Sequence, residues 1–499
     1  MTRLSNWQSN ACFATMLVCV VWHAQGLCAE QPNVLFIVCD DLNTHVSTSG
    51  YPHIQTPTFD KLAASGMTFS RAYCQYPVCG PSRASFLHGL YPQSTGVLDN
   101  KSDIREMRPN TVSMPQRFKE SGYWTAAVGK VFHNSKFDQA DVAWNETLRF
   151  DNDEMPMVTP IREKFEADNG SVVSGKARKM WREFYPTIAN QTKGQAPGYG
   201  PSGLEDAQHK DGKNAAQICV WLKQRPYGNK PFFMALGIQK PHVPFLAPDK
   251  YFELYPRTGL QFVPASLAFW NQAPKLAQTN RFKSFGFEFG VENDELRRDY
   301  IQAYHACISF IDAQIGSVLD QLQQSDQADN TIVVLTSDHG FLLGEKFMWG
   351  KVMLFETCDR VPLIIRIPDS LKDGFASDGS QSDRLVELID LFPTLAELCG
   401  IESPDQVQGK SLVPMLRDPR HRVKDMAYTV VSRGTKLGKA IRTTRYHYNS
   451  WPTGEELYDL QNDPHEDTNL AEHPKHRMLL QAMRDRLLRA EQRAKSRRL

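Results

Sequence analysis

Four separated stretches of the chain are continuous apolar runs that stop on polar or turn-forming residues: 33–41 (NVLFIVCDD), 232–238 (FFMALGI), 331–340 (TIVVLTSDHG) and 361–368 (VPLIIRIP). A run with no polar alternation suits a strand buried on both faces, which is the situation inside a parallel sheet. Helical spacing of apolar residues fills the intervals at 58–64, 81–90, 214–223 and 295–322. Strands alternating with helices predict an α/β domain, a large, mostly parallel sheet sandwiched by helices, whose site lies beyond the carboxyl ends of the strands. Those ends carry Asp40, Asp41, Asp338 and His339.

With 499 residues, 41% of them hydrophobic, the chain can bury a large core and exceeds the usual size of one domain. Residues 1–29 read as a signal peptide, because the apolar stretch 11–24 is too short and too interrupted to span a bilayer. Export, with no stable membrane insertion, is the expectation. Residues 30–407 carry the α/β pattern. After a helix at 390–400 closed by a glycine, the texture shifts to short β-like runs at 426–432 and 439–451. Residues 408–499 therefore predict a smaller α+β subdomain with an antiparallel sheet and a charged terminal helix from about Pro474. The stretch 137–201, rich in Asp, Asn, Lys and Gly, reads as an insertion or long loop. A formal net charge of +1 supplies no overall field for nucleic acid, so an anion has to be met by a local site.

Asp40 and Asp41 at one strand end, with Asp338 and His339 at another, bring hard oxygen donors and one imidazole to a single edge of the sheet. That donor set favours calcium or magnesium over zinc. Either pair alone is better explained as a strand cap or turn. Cys79 lies in VCGPSRASFLHGLYP (78–92), where Pro81 suits the first helical position. The cysteine then sits at a helix start, whose free N–H groups stabilise a thiolate or a tetrahedral anion. Arg83, one turn on, can fork onto the same anion or back onto the loop. Beyond the leader the chain has seven cysteines, an odd number in an exported protein, which leaves one thiol for another task. Basic residues follow or close apolar runs at Lys130 and His133 (VGKVFH), Lys240 and His242 (QKPHVPF) and Lys351 (WGKVMLFE). Cations, a metal and histidines around one point make a pocket for an oxyanion with general acid or base groups at hand.

These residues resemble the sulfatase branch of the alkaline-phosphatase-like superfamily, and within it the iduronate-2-sulfatase-like group. The resemblance runs through NVLFIVCDDLN, CGPSRASFLHGLYP, FKESGYWTAAVGKVFH, KPHVPF, TSDHGFLLGEKFMWGKVMLFE and ELYDLQNDPHEDTNLA. It implies that a formylglycine-generating enzyme oxidises Cys79 to Cα-formylglycine. Of the hydrated aldehyde's two hydroxyls, one attacks sulfur and the other later expels sulfate. It also implies one Ca2+ held by Asp40, Asp41, Asp338, His339 and the modified Cys79. Arg83 steadies the diol, Lys130 and Lys351 bind sulfate oxygens, and His133 assists turnover. His242 and Lys351 protonate or stabilise the leaving alkoxide, with the division between His133 and His242 open. The sequence departs from the iduronate-2-sulfatase pattern at 93–103 and 138–200, so the resemblance implies a sulfated carbohydrate substrate without naming the sugar. Two other readings stand beside it, a phosphonate or phosphate ester hydrolase of the same superfamily and a non-catalytic protein that binds sulfated glycans.

Overall fold

The computed structural model describes residues 31–150, 159–171, 176–177, 179–180, 198–262, 267–279 and 281–495. The expected signal peptide and part of the 137–201 stretch lie outside the described residues. Eight strands form the main sheet: β1 (Asn33–Asp40), β2 (Met67–Phe69), β3 (Trp124–Gly129), β4 (Glu146–Leu148), β5 (Phe232–Pro241), β6 (Thr331–Ser337), β7 (Leu363–Arg366) and β8 (Ser380–Ser382). Their spatial order is β8, β2, β7, β6, β1, β5, β3, β4. Neighbours from β6 to β4 pair in parallel. Strand β7 runs antiparallel to both β6 and β2, while β8 and β2 are parallel, so β7 alone is reversed.

The apolar runs predict β1, β5, β6 and β7. Strands β2, β4 and β8 have three residues each, too few to show a period, and β3 (WTAAVG) is alanine-rich with no bulky run. Because β4 pairs with β3 and a helix covers Thr159–Asn169, the 137–201 stretch is not a loop throughout.

Five helices pack on the sheet: α1 (Pro57–Ala64), α2 (Cys79–His88), α3 (Lys210–Gln224), α4 (Asp294–Gln323) and α5 (Leu391–Leu398). Successive strand residues point to opposite faces, and β1 shows the consequence for burial. Leu35, Ile37 and Cys39 join the core under α1, α3 and α4. Val34, Phe36 and Val38 join a second core under α2 and α5. Both faces are thus dry, which is why β1 reads as an unbroken apolar run. Every residue of α2 is buried, so this helix has no polar stripe to betray its orientation. It starts at Cys79, with Val78 as the cap residue, so Pro81 is the third helical residue rather than the first. Proline is tolerated there because the first N–H groups of a helix lack intrahelical acceptors.

The carboxyl-terminal part forms a four-stranded antiparallel sheet in sequence order: β9 (Ala427–Arg433), β10 (Lys436–Arg442), β11 (Tyr446–Trp451) and β12 (Gly454–Asp459). The run 439–451 is therefore two strands with a turn between them. Helix α6 (Arg477–Lys495) lies against this sheet, and Glu491 accepts a hydrogen bond from Lys439 at 2.8 Å.

Glu356 ties this sheet to the α/β part, accepting from Arg442 Nε of β10 at 2.8 Å and from the Tyr73 hydroxyl at 2.8 Å. Burial alone would raise its carboxyl, but Arg442, Arg360 and His447 outweigh that and hold it down at about 2. An unfolded glutamate titrates near 4.3, so the folded state gains about 3 kcal/mol from this group above that pH. The gain is lost as pH falls from there through about 2. We expect Glu356→Gln to destabilise the protein by about 3 kcal/mol at pH 7 in denaturant titrations. The loss of stability on acidification should also be shallower than in the parent. Parallel pH profiles for parent and variant would show that the pair does not join the two parts.

Candidate active site

Strand register assembles the site. Cys39 pairs with Ser337 across β1 and β6, which sets Asp40 beside Asp338 at the strand ends. Regular alternation would send Asp41 to the face opposite Asp40. Asp41 instead adopts φ 65°, a left-handed conformation that aspartate tolerates better than most residues. The turn keeps both carboxylates in one place. It is held by the Tyr304 hydroxyl, which donates to the Asp41 carbonyl at 2.7 Å and accepts from the Asn43 N–H at 2.9 Å. The Asp41 N–H donates to Asp338 Oδ1 at 3.2 Å. On the other side of β1, a register shift pairs Asp40 with Pro241 of β5 and brings in His242. At the end of β3 the backbone of Lys130 passes so close to Gly237 that an added Cβ would meet it at 2.2 Å, so glycine is required at 237.

The four donor atoms offered by Asp40, Asp41, Cys79 and His339 lie within 4.8 Å of one another, and all four residues are buried. His339 Nε2 stands 3.4 Å from Cys79 Sγ and 3.4 Å from Asp41 Oδ1. Its Nδ1 faces the Gly340 carbonyl at 3.0 Å, which directs Nε2 at the cluster. Burial would lower this imidazole, but Asp338 raises it to about 9, so without a cation Nε2 carries a proton that a bound cation would displace. Asp338 stands beside this set, accepting from Arg83 Nε at 2.8 Å through Oδ2 and lying 3.6 Å from His339 Nε2 through Oδ1. Lys351 Nζ donates to Asp41 Oδ1 at 2.6 Å and to Cys79 Sγ at 3.0 Å. Lys130 Nζ bonds Asp40 Oδ2. His242 Nε2 is 3.8 Å from Asp41 Oδ2, with Nδ1 against its neighbour's carbonyl, Val243 O, at 2.7 Å. The carboxylates of Asp40 and Asp41 are wholly enclosed, whereas the side chains of Lys130 and Lys351 are 12% exposed and that of His242 is 26% exposed. Acids line the floor and bases face the opening.

Electrostatics match that layering. Burial would raise Asp40, but Lys130, His242, Arg83 and Lys351 hold it well below the usual carboxylate range. Burial and Asp40 would raise the Cys79 thiol, yet Lys130, Lys351 and His339 outweigh them and favour the thiolate. Burial lifts Asp338 to about 7 against the pull of Arg83 and His339. Two carboxylate oxygens, Asp40 Oδ1 and Asp41 Oδ2, are buried and accept no hydrogen bond. Buried anionic oxygens without donors are costly, and a cation removes the cost. The residues present therefore fit a hard divalent cation, with Cys79 Sγ the one soft donor among them.

Two expectations about α2 change. The Gly80 N–H is taken by Asn100 Oδ1 at 2.8 Å and the Ser82 N–H by the Val78 carbonyl at 2.9 Å, while Pro81 has none, so the helix start is not an open row of donors. Positive charge at the site comes instead from side chains. Arg83 turns inward: Nε bonds Asp338, and Nη1 bonds the Lys130 and Val131 carbonyls. Its Nη2 is buried without a hydrogen bond, 3.6 Å from Asp40 Oδ1. Lys240 is structural, donating from Nζ to the Pro244 carbonyl and from its backbone to Asp211. His133 is half-buried with an unpartnered Nδ1, and no bond ties it to the cluster. Sequence reasoning missed Tyr304, Asn43, Asn100 and Asp211, which hold the strand ends and the helix start. Tyr304 carries no local signal because it lies within the apolar pattern of α4. All seven described cysteines are free thiols.

The chain matches the family model "Sulfatase" over residues 32–401 and the model "N-sulphoglucosamine sulphohydrolase, C-terminal" over 344–493. It is 35% identical to a sulfatase of Formosa agariphila, across 91% of this chain and 86% of that one. It is 29% identical to iduronate 2-sulfatase of Mus musculus, across 92% and 95%. Among solved structures it resembles the phosphonate monoester hydrolase of Agrobacterium radiobacter (TM-score 0.74, 21% identity, 93% of this chain and 96% of that one). It also resembles a protein, BT4656, solved in complex with its substrate D-glucosamine-2-N,6-O-disulfate (TM-score 0.71, 21% identity, 93% and 98%). At those identities the structural likeness is one of fold. The family match covers most of the chain: this protein belongs to the sulfatases, hydrolases of sulfuric esters.

Proposed function

We propose that this sulfatase hydrolyses a sulfate ester on a saccharide, with position 79 oxidised to formylglycine by a formylglycine-generating enzyme during export. Ca2+ would be held by Asp40, Asp41, His339 and residue 79, with Asp338 at its side. The observation that carries the reading is the buried cluster itself, in which two carboxylate oxygens lack donors next to a cysteine flanked by two lysines. Oxidation at 79 would also replace the one soft sulfur donor by oxygen, leaving a donor set suited to calcium. When present, the hydrated aldehyde supplies the nucleophilic oxygen and the cation supplies positive charge for the sulfate. Among described residues no helix is long and apolar enough to cross a membrane.

The chain's own residues supply the rest. Lys130 and Lys351 reach the cluster with their ammonium groups on Asp40, Asp41 and Cys79, and are proposed to take sulfate oxygens as charge moves onto them. The Asp338 carboxylate and two backbone carbonyls orient Arg83, so its guanidinium offsets the charge of Asp40 beneath the nucleophile. His242 sits at the rim and is the group proposed to hand a proton to the departing sugar oxygen. His133 is proposed to assist turnover at residue 79, as its free Nδ1 permits. Saccharide sulfates are proposed as substrates on the strength of the iduronate 2-sulfatase relative.

Mass spectrometry of the peptide 72–83 from exported protein should show an aldehyde at position 79, and that protein should release sulfate from sulfated oligosaccharides faster than it cleaves phosphate or phosphonate esters. An unmodified thiol with glycan binding and no sulfate release would overturn the enzyme reading, and dominant phosphoesterase or phosphonatase activity would overturn the choice of ester. Lys351→Ala should lower kcat by about 10²- to 10³-fold on every sulfate ester. His242→Ala should lower it by about 10²-fold on sugar sulfates but little on 4-nitrophenyl sulfate, whose leaving group needs no proton. Equal losses on both substrates would remove His242 from the acid role. Adding calcium to chelator-treated protein at about 100 times its Kd should stabilise it by about 2.7 kcal/mol. Asp41→Asn should abolish that increment, and an unchanged increment would place the ion elsewhere.

A further inference from the structure

At the first turn of α4 a buried guanidinium has more donors than partners. Arg297 is 4% exposed, and its Nε donates to the Leu343 carbonyl at 2.9 Å. The Phe262 ring covers one face of the guanidinium at 4.5 Å. Its Nη1 and Nη2 are buried and meet no acceptor among the described residues. Burial outweighs the acidic groups that act on it, Glu345 and Asp294 first, and lowers the guanidinium below its usual range. Arginine keeps its proton all the same, so the buried charge is short of a counterion. Beside it lies a cavity of about 20 Å³, lined by Arg297, Asn293, Phe282, Phe287, Gly344 and Trp349 among others. That volume admits one ligand the size of a water molecule or a monatomic ion. The other walls suit an anion. Asn293 accepts from the Leu296 N–H through Oδ1 at 3.2 Å, which leaves its NH2 as a donor. The start of a 30-residue helix adds positive potential. The Phe287 and Trp349 rings, stacked at 4.7 Å, have positive edges. Glu292 and Asp294 also line the cavity, but both are exposed, where solvent screens their charge, while Arg297 is not.

We propose that this cavity binds a single halide ion, chloride in ordinary media, held by Nη1 and Nη2 of Arg297. The ion ties the start of α4 to the segment 343–349. Gly344 and Arg297 already approach so closely there that an added Cβ would meet Nε at 2.7 Å. Lys351, which reaches Asp41 and Cys79, follows Trp349 by two residues, so the ion steadies the segment that leads into it. The halide site shares no residue with the buried carboxylate cluster, and it stands whether or not the ester reading of that cluster does.

The full-length exported protein is melted at fixed ionic strength while sodium gluconate, whose anion is too large for the cavity, is exchanged for sodium chloride or bromide. Either halide should raise Tm by about 2 °C, saturably, and Arg297→Met should show no such rise. Arg297→Lys, which keeps the charge but loses the planar fork, should show a smaller one. In crystals of the parent protein grown in bromide, anomalous scattering should place one ion within hydrogen-bond reach of both Arg297 Nη atoms, a result that does not depend on how the variants fold. Water at that position in bromide-grown crystals, or equal Tm in gluconate and halide, overturns the proposal. Bromide there with no halide dependence of Tm would mark an adventitious ion only and overturns it as well.

Discussion

Everything at the business end of this protein depends on one electrostatic problem: three carboxylates, Asp40, Asp41 and Asp338, are buried together where two adjacent parallel strands end. Such crowding is unfavourable unless positive charge is brought to it. The fold answers with Arg83 from beneath, Lys130 and Lys351 from the rim, and His339 within the cluster. Two oxygens still lack a hydrogen-bond donor, which is where the proposed divalent cation would sit. The same neighbours that restrain the acids favour the Cys79 thiolate, so the proposed metal site and the proposed nucleophile site share one set of charges.

The rest of the architecture keeps that cluster rigid. A sheet dry on both faces fixes the strand ends, and the wholly buried helix α2 fixes Cys79 against them. The left-handed turn at Asp41 is a local strain, of order 1–3 kcal/mol for such outliers. It is borne by Tyr304, a residue of the long helix α4 that packs on the same sheet. The carboxyl-terminal sheet stands behind the site and supplies Arg433 beside it. Its attachment through Glu356 therefore bears on stability.

What was legible in the sequence follows from what local pattern can encode. Long buried strands announce themselves as apolar runs, so the α/β class and the acids at the ends of β1 and β6 could be read directly. Cys79 stood out by its helix-start setting and the odd cysteine count, and the five basic residues by their place after apolar runs. Contacts made between distant segments have no such signature. Nothing near Asp41 foretold its left-handed turn. Nothing near Arg83 foretold that Asp338 and the carbonyls of Lys130 and Val131 would hold it, and nothing near Gly80 foretold that Asn100 would claim its N–H. The three-residue strands escaped because a period needs more residues than they have, and the helix α2 showed no stripe because every side of it is packed.

The central claim is that the orphaned oxygens of Asp40 and Asp41 belong to a cation shared with an oxidised residue 79. A crystal structure of the exported protein grown with calcium, with the ion identified by its anomalous scattering, tests this most directly. The account predicts one cation within about 2.3–2.6 Å of oxygens from Asp40, Asp41 and residue 79, with His339 Nε2 completing the set. An intact thiol at 79, with lysine ammonium groups filling the cluster and no ion there, would contradict it.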